Sequence, residues 1–382
     1  MIDIRKDLPE IFNDFAEGRQ NAFMKVMEVK KKDIPVIGVF CTFFPQELAL
    51  AMGATSVSLC SMTDETIPEA EKYLPKNLCP LIKSSYGFAI TDKCPFFYFS
   101  DLIIGETTCD GKKKMYEYLG EDKNVYIMEL PNKQSDQGLE LWTQEIHNMK
   151  EELERQFGRE ITEESLWEAI RIKNAERTAI KKLYGIMKAD ELPIMGLDLW
   201  HMLTGFTFEF DKKTIPGQVD ALIEKIKKEN KRITGKPRIL VTGCPLGAAT
   251  EKLVKAIEDN GGIVVAYENC SGGSKPVNVN VDESMDDPYR AIAEKYLGIG
   301  CSVMTPNQNR LDLLGEMIDE FKVDGVVDLH LQTCLTYQVE GLSIKRFCNE
   351  EKNIPYMAVE TDYSQADAGQ INTRIAAFLE MI

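Results

Sequence analysis

Two regimes of hydrophobic patterning alternate along the chain. Short, nearly continuous apolar runs at 35–40, 54–59, 101–104 and 124–131 have the length and β-branched content of strands buried on both faces. Segments with helical spacing or helix start and stop residues separate them, and this strand–helix alternation predicts a parallel α/β sheet. The pattern then changes. From 135 to 232 the apolar positions recur at 3.6-residue spacing through 139–157 and 163–187, which predicts long amphipathic helices. Strand-like runs return at 238–242, 263–268, 324–329 and 355–361, with helical stretches at about 247–259, 286–297, 307–322, 337–351 and 369–381. Ahead of all this, Leu8, Ile11, Phe12, Phe15, Ala22, Phe23, Val26 and Met27 predict one or two N-terminal helices.

The expected fold is therefore α/β, with two Rossmann-like, doubly wound parallel-sheet domains related by an internal repeat. N-terminal and central helical segments accompany them. The corresponding divisions are 1–34, 35–134, 135–235 and 236–382. The repeat carries cysteines in register. Cys41 and Cys244 end the first strands of the two halves, and Cys60 and Cys270 end the second strands. Cys79 and Cys301 follow, then Cys109 and Cys334; only Cys94 and Cys348 fall outside the scheme. Open parallel sheets bind ligands beyond the carboxyl ends of their strands. A thiol kept only for packing has no reason to prefer that edge, and helix N-termini there favour the thiolate.

Composition narrows the chemistry. The chain has 382 residues, 44% hydrophobic and 28% charged, and no apolar run long enough to span a bilayer. Its first residues lack a secretory apolar core, so a cytoplasmic location is expected, where ten cysteines are not a disulfide framework. A net charge of −16 argues against nucleic acid or an anionic membrane as partner. Only three histidines are present, no Cys-x-x-Cys occurs, and neither a dinucleotide fingerprint nor a P-loop is found. Distant thiolates without histidines point to an iron–sulfur centre assembled between domains rather than to a zinc knuckle. Lys112-Lys-Lys114 reads as a solvated helical turn or a docking patch. His330, Glu47 and Glu106 are candidate proton donors, each weighed against a purely structural role.

Particular motifs carry a resemblance. Glu106-Thr-Thr-Cys-Asp-Gly-Lys-Lys-Lys-Met, Leu78-Cys-Pro-Leu-Ile-Lys-Ser-Ser and Phe40-Cys-Thr-Phe-Phe-Pro-Gln-Glu-Leu resemble the 2-hydroxyacyl-CoA dehydratase and benzoyl-CoA reductase subunit family. Glu268-Asn-Cys-Ser-Gly-Gly, Gly300-Cys-Ser-Val-Met-Thr-Pro-Asn and Val359-Glu-Thr-Asp-Tyr-Ser are similar to its C-terminal half, and the double-cubane cluster subgroup is the nearest likeness. The resemblance implies an 8Fe-9S double-cubane iron–sulfur cluster between the two α/β domains of an anaerobic, homodimeric oxidoreductase. It also implies that a separate ATP-hydrolysing 4Fe-4S reductase, the activator, supplies low-potential electrons for reducing a small molecule. Cys79, Cys109, Cys301 and Cys334 follow from both repeat and resemblance as ligands. The family motifs add Cys41 and Cys270, whereas strict repeat symmetry would pair Cys41 with Cys244 or Cys60 with Cys270, so Cys244 is the replacement candidate. The alternatives are a dehydratase or reductase subunit with one 4Fe-4S cluster acting on a CoA thioester, and a non-catalytic electron-transfer protein.

Overall fold

The computed structural model describes residues 17–244, 247–270 and 275–382. The early apolar positions Leu8, Ile11, Phe12 and Phe15, and the Ser271-Gly-Gly part of one motif, lie outside the described residues. The chain begins with α1 (Glu17–Lys31), and Pro35 then leads into β1 (Val36–Val39). Next come α2 (Gln46–Ala51), β2 (Thr55–Ser58), α3 (Ile67–Ala70), α4 (Pro80–Ile90) and α5 (Pro95–Phe99). β3 (Leu102–Glu106), α6 (Asp110–Leu119) and β4 (Val125–Met128) complete the first half. The central helices are α7 (Asp136–Phe157), α8 (Glu163–Gly185), α9 (Gly196–Thr207) and α10 (Ile215–Glu229). The second half runs β5 (Arg238–Gly243), α11 (Gly247–Asp259), β6 (Ile263–Glu268), α12 (Pro288–Leu297) and α13 (Gln308–Glu320). It ends with β7 (Gly325–Leu331), α14 (Leu335–Arg346), β8 (Tyr356–Thr361) and α15 (Ala368–Leu379).

Local chemistry sets the helix boundaries. Ser135 and Thr162 cap α7 and α8 by accepting from the amides of Gly138 and Ser165, and left-handed Gly158 and Asn230 stop α7 and α10. Helix α3 is a single turn, with Pro68 near its start. The helix expected at 337–351 starts earlier, at Leu335, and closes in a π-turn over Phe347–Glu351.

Both four-stranded sheets are parallel, in the orders β2-β1-β3-β4 and β6-β5-β7-β8. Parallel neighbours require a crossover, which the intervening helices supply. Identical strand order in the two sheets makes the expected pair of Rossmann-like units a structural fact. In each sheet the order reverses between the first and third strands, where ligands are bound in such folds. Among the described residues no helix is long and apolar enough to cross a membrane.

Packing joins what the sequence separates. One face of the first sheet (Ile37, Val39, Leu102, Ile104) meets Trp142, Ile146, Met149 and Leu153 of α7. The same cluster includes Tyr289, Ile292 and Tyr296 of α12, and Cys301. Asn132 accepts from the Thr305 amide at 2.8 Å, and the Gln134 side chain donates to Leu297 and Ile299 carbonyls at 2.8 and 3.2 Å. Thus α12 follows β6 in sequence yet completes the core of the first sheet. The other face of that sheet packs on α1, α4, α5 and α6, and the second sheet on α9–α11 and α13–α15.

Candidate metal centre

The cysteines sit where the strands give way to helices. Cys41 lies two residues beyond β1, Cys244 directly beyond β5, and Cys270 two residues beyond β6. Cys79, Cys109 and Cys334 are the N-cap residues of α4, α6 and α14. First-turn amides of Leu81 and Ile82, of Lys112 and of Tyr337 favour the respective thiolates. Gly243 makes one of these turns possible. Its φ is +114°, and a Cβ there would stand 2.1 Å from the Leu329 carbonyl oxygen, so only glycine lets Cys244 tuck against β7. The Leu331 amide then donates to the Cys244 sulfur at 3.3 Å.

The thiols gather into two groups. Cys79 and Cys244 both hydrogen-bond to Cys334; this holds the Cys334 thiol well below the usual range, while burial and that shared hydrogen bonding raise the other two. Cys41 lies near Cys270 and Cys301, and burial followed by mutual repulsion raises it. Cys109 stands between the groups, influenced by both Cys334 and Cys301, and burial raises it too. The internal repeat exchanges Cys79, Cys244 and Cys334 for Cys301, Cys41 and Cys109. Each group therefore draws on both halves of the chain. Cys60 donates to the Phe40 carbonyl at 2.8 Å, adjacent to Cys41.

Charged residues surround one side of this assembly. Lys112 turns inward, 3.4 Å from the Phe40 carbonyl, while its neighbours face solvent and pair with Asp110 and Glu117. The lysine run is thus not uniformly solvated. Burial opposes the Lys112 charge, but Cys60, Tyr116, Cys41 and Cys109 more than offset it and raise the group. Beside Cys270, fully buried Lys275 and Arg310 both pair with Glu268, at 3.0 and 3.3 Å. Lys275 also donates to the Tyr337 hydroxyl at 3.1 Å. Neither cation was evident in the sequence. Strand alternation hints at Glu268, but nothing in the chain order brings Lys275 or Arg310 to it.

The donor set tests what this place accommodates. Among the described residues no three His, Cys, Asp or Glu side chains stand close enough to hold a single metal ion. An iron–sulfur cluster has a different requirement, with thiolates spread over separate irons around inorganic sulfide. Thiols gathered from distant segments, without histidine, fit that requirement. Buried polar atoms without hydrogen-bond partners cluster beside them: the Thr108 hydroxyl, both ends of the Asn269 amide, the Tyr116 and Tyr363 hydroxyls and both Glu106 oxygens. Orphaned polar atoms of this kind need partners, and cluster sulfides accept hydrogen bonds. Glu106 adjoins the thiols, and burial pushes its carboxyl up to about 8.

Other candidates lie elsewhere. His330 pairs with Asp328 at 3.0 Å and packs against Gly341, in a core position shared with Tyr356. Glu47 is fully buried in an ion pair with Arg177 and accepts from the Tyr296 hydroxyl at 2.8 Å. Cys94 caps α5 among phenylalanines, and Cys348 is buried in the π-turn, where burial pushes it up to about 12.

Comparison with known proteins agrees with the motifs. Residues 41–382 match the model of the family described as 2-hydroxyglutaryl-CoA dehydratase, D-component. A protein of Escherichia coli (strain K12), YjiM, provisionally described as a dehydratase subunit, is 52% identical over 380 residues, covering 98% of this chain and 99% of the relative. The (R)-phenyllactyl-CoA dehydratase beta subunit of Clostridium sporogenes is 26% identical, covering 98% and 99%. A benzoyl-CoA reductase subunit of Thauera aromatica is 21% identical, covering 97% and 95%.

Proposed function

Given that the chain belongs to the 2-hydroxyglutaryl-CoA dehydratase D-component family, we propose that it is the iron–sulfur reductase component of an ATP-dependent system and holds an 8Fe-9S double cubane. One observation carries this reading: two thiol groups, each drawn from both halves of the chain, with Cys109 between them. A single cubane needs about four ligands, whereas two bridged cubanes need about six. Cys41, Cys79, Cys109, Cys270, Cys301 and Cys334 are the proposed ligands. The contact of Cys244 with Cys334 supports Cys244 as a further or replacement ligand.

When bound, such a cluster supplies one-electron chemistry at very low potential. The protein's own residues supply the setting. Helix N-termini at Cys79, Cys109 and Cys334 stabilise thiolates. Asn269, Thr108 and Tyr363 offer hydrogen bonds toward the sulfur-rich interior, and Lys112 supplies positive charge. The chain offers no nucleotide loop of its own, so in this reading an ATP-hydrolysing 4Fe-4S activator delivers the electrons to a homodimer, and the reduced substrate is a small molecule.

The relatives named as acting on CoA thioesters favour a second reading, in which this chain is one subunit of a hetero-oligomer with a single 4Fe-4S cluster. Anaerobic purification with iron and acid-labile sulfide counted per chain separates the two. Roughly eight iron and nine sulfide are expected for the double cubane; about four of each, with stable association to a different subunit, would replace it by the second reading.

A further inference from the structure

Half-buried Lys112 differs in its pairing from Lys275, Arg310, Arg177 and Lys252. Lys275 and Arg310 are balanced by Glu268 and Glu340, Arg177 by Glu47, and Lys252 by Asp367. Among the described residues Lys112 makes no ion pair with a carboxylate. Its ammonium instead reaches the Phe40 carbonyl, to which Cys60 also donates, and it lies over the Phe40 ring, 5.8 Å from the centroid. Its anionisable neighbours are Cys41, Cys60, Cys109 and Tyr116. Glu106 lies in the same neighbourhood but makes no ion pair with Lys112, and both its carboxyl oxygens lack a hydrogen-bond partner.

The field is one-sided. Near Cys270, two cations face two carboxylates, Glu268 and Glu340, and largely cancel. Around Cys79, Cys244 and Cys334 the principal influences are burial, one another, neighbouring backbone amides and Thr336, with no cation among them. Opposite ends of the assembly therefore differ by the Lys112 ammonium, which no ion pair offsets among the described residues.

We propose that Lys112 directs the first added electron to the Cys41–Cys109 end of the assembly, so that its two ends are reduced in a fixed order. This rests on the double-cubane reading. The step is a single-electron reduction: an external low-potential donor, the iron–sulfur activator or Ti(III) citrate, loses one electron, and no covalent bond forms or breaks. Lys112 is a positioning residue here, acting through charge alone.

The test is an anaerobic redox titration with Ti(III) citrate, followed by electron paramagnetic resonance, on the purified full-length protein. Wild type is compared with Lys112→Met, Lys112→Arg and the surface control Lys114→Met. In Lys112→Met the first reduction is expected at lower potential, with the second less affected and the signal of the first-reduced state changed. Lys112→Arg and Lys114→Met retain the wild-type order. An unchanged separation in Lys112→Met, or equal displacement of both steps, overturns the proposal. Iron and sulfide are counted on the same samples. If Lys112→Met loses iron, Lys112→Gln takes its place; loss of iron from both while Lys112→Arg stays loaded makes Lys112 an assembly residue and also overturns it. A wild-type count near four iron per chain instead refutes the underlying two-cubane reading, whatever the potentials do.

Discussion

At the scale of single residues, environment rather than residue type decides what a side chain does. Cys334 and Cys348 lie on one continuous helical segment, yet Cys334 caps its start beside two other thiols while Cys348 is enclosed in its final turn. The repeat makes that contrast legible in the sequence, since Cys334 has a counterpart in Cys109 and Cys348 has none. Lys112 was not legible. Three successive lysines share one composition, and only the direction of each side chain from the first turn of α6 separates the member turned toward the Phe40 carbonyl from the two that pair with Asp110 and Glu117. Glu258 shows environment acting on stability. It accepts from the Gly196 amide at 2.7 Å, but burial pushes its carboxyl up to about 7. Between the ordinary carboxyl range and pH 7 the folded state holds this proton and the unfolded chain does not, so stability falls as pH rises through that window. Relative to Glu258→Gln, the wild type is expected to lose on the order of 2–3 kcal/mol between pH 4 and pH 8. Melting temperatures across that range measure it, and parallel curves for the two proteins contradict it.

At the scale of elements, strands and helices were readable because buried parallel strands and amphipathic helices leave different periods in the chain. What each element packs against was not. The apolar positions of α12 announce that it is buried, but not that it crosses to the first sheet, because periodicity records a face and never its partner. The tie there is ionic as well as apolar. Glu47 of α2, Arg177 of α8 and Tyr296 of α12 meet in one buried cluster, and although burial opposes its charge, Arg177 with Lys173 and Lys295 holds Glu47 down to about 2. Arg177→Met strands that carboxylate and is expected to cost about 3–5 kcal/mol in urea unfolding. Adding Glu47→Gln to Arg177→Met should recover part of the loss. A loss under about 1 kcal/mol for the single variant would show that the pair does not tie these helices.

At the scale of the whole molecule, the halves are similar in plan but not independent. A fragment of residues 1–234 lacks α12, which covers Ile37, Leu102 and Ile104 together with α7. Produced alone, it is expected to expose that apolar face, bind hydrophobic dye and lack native near-ultraviolet circular dichroism. Co-production with residues 235–382 should restore both properties, and a natively folded 1–234 fragment would contradict this interdependence. The interleaving of the thiols also has a consequence in time. A chain emerging from the ribosome presents Cys41, Cys79 and Cys109 early, but one group waits for Cys270 and Cys301, and the other for Cys244 and Cys334. Any metal captured before residue 334 emerges meets only part of its donor set. On the proposed double-cubane reading, completion of the donor set is thereby timed by the last third of the chain.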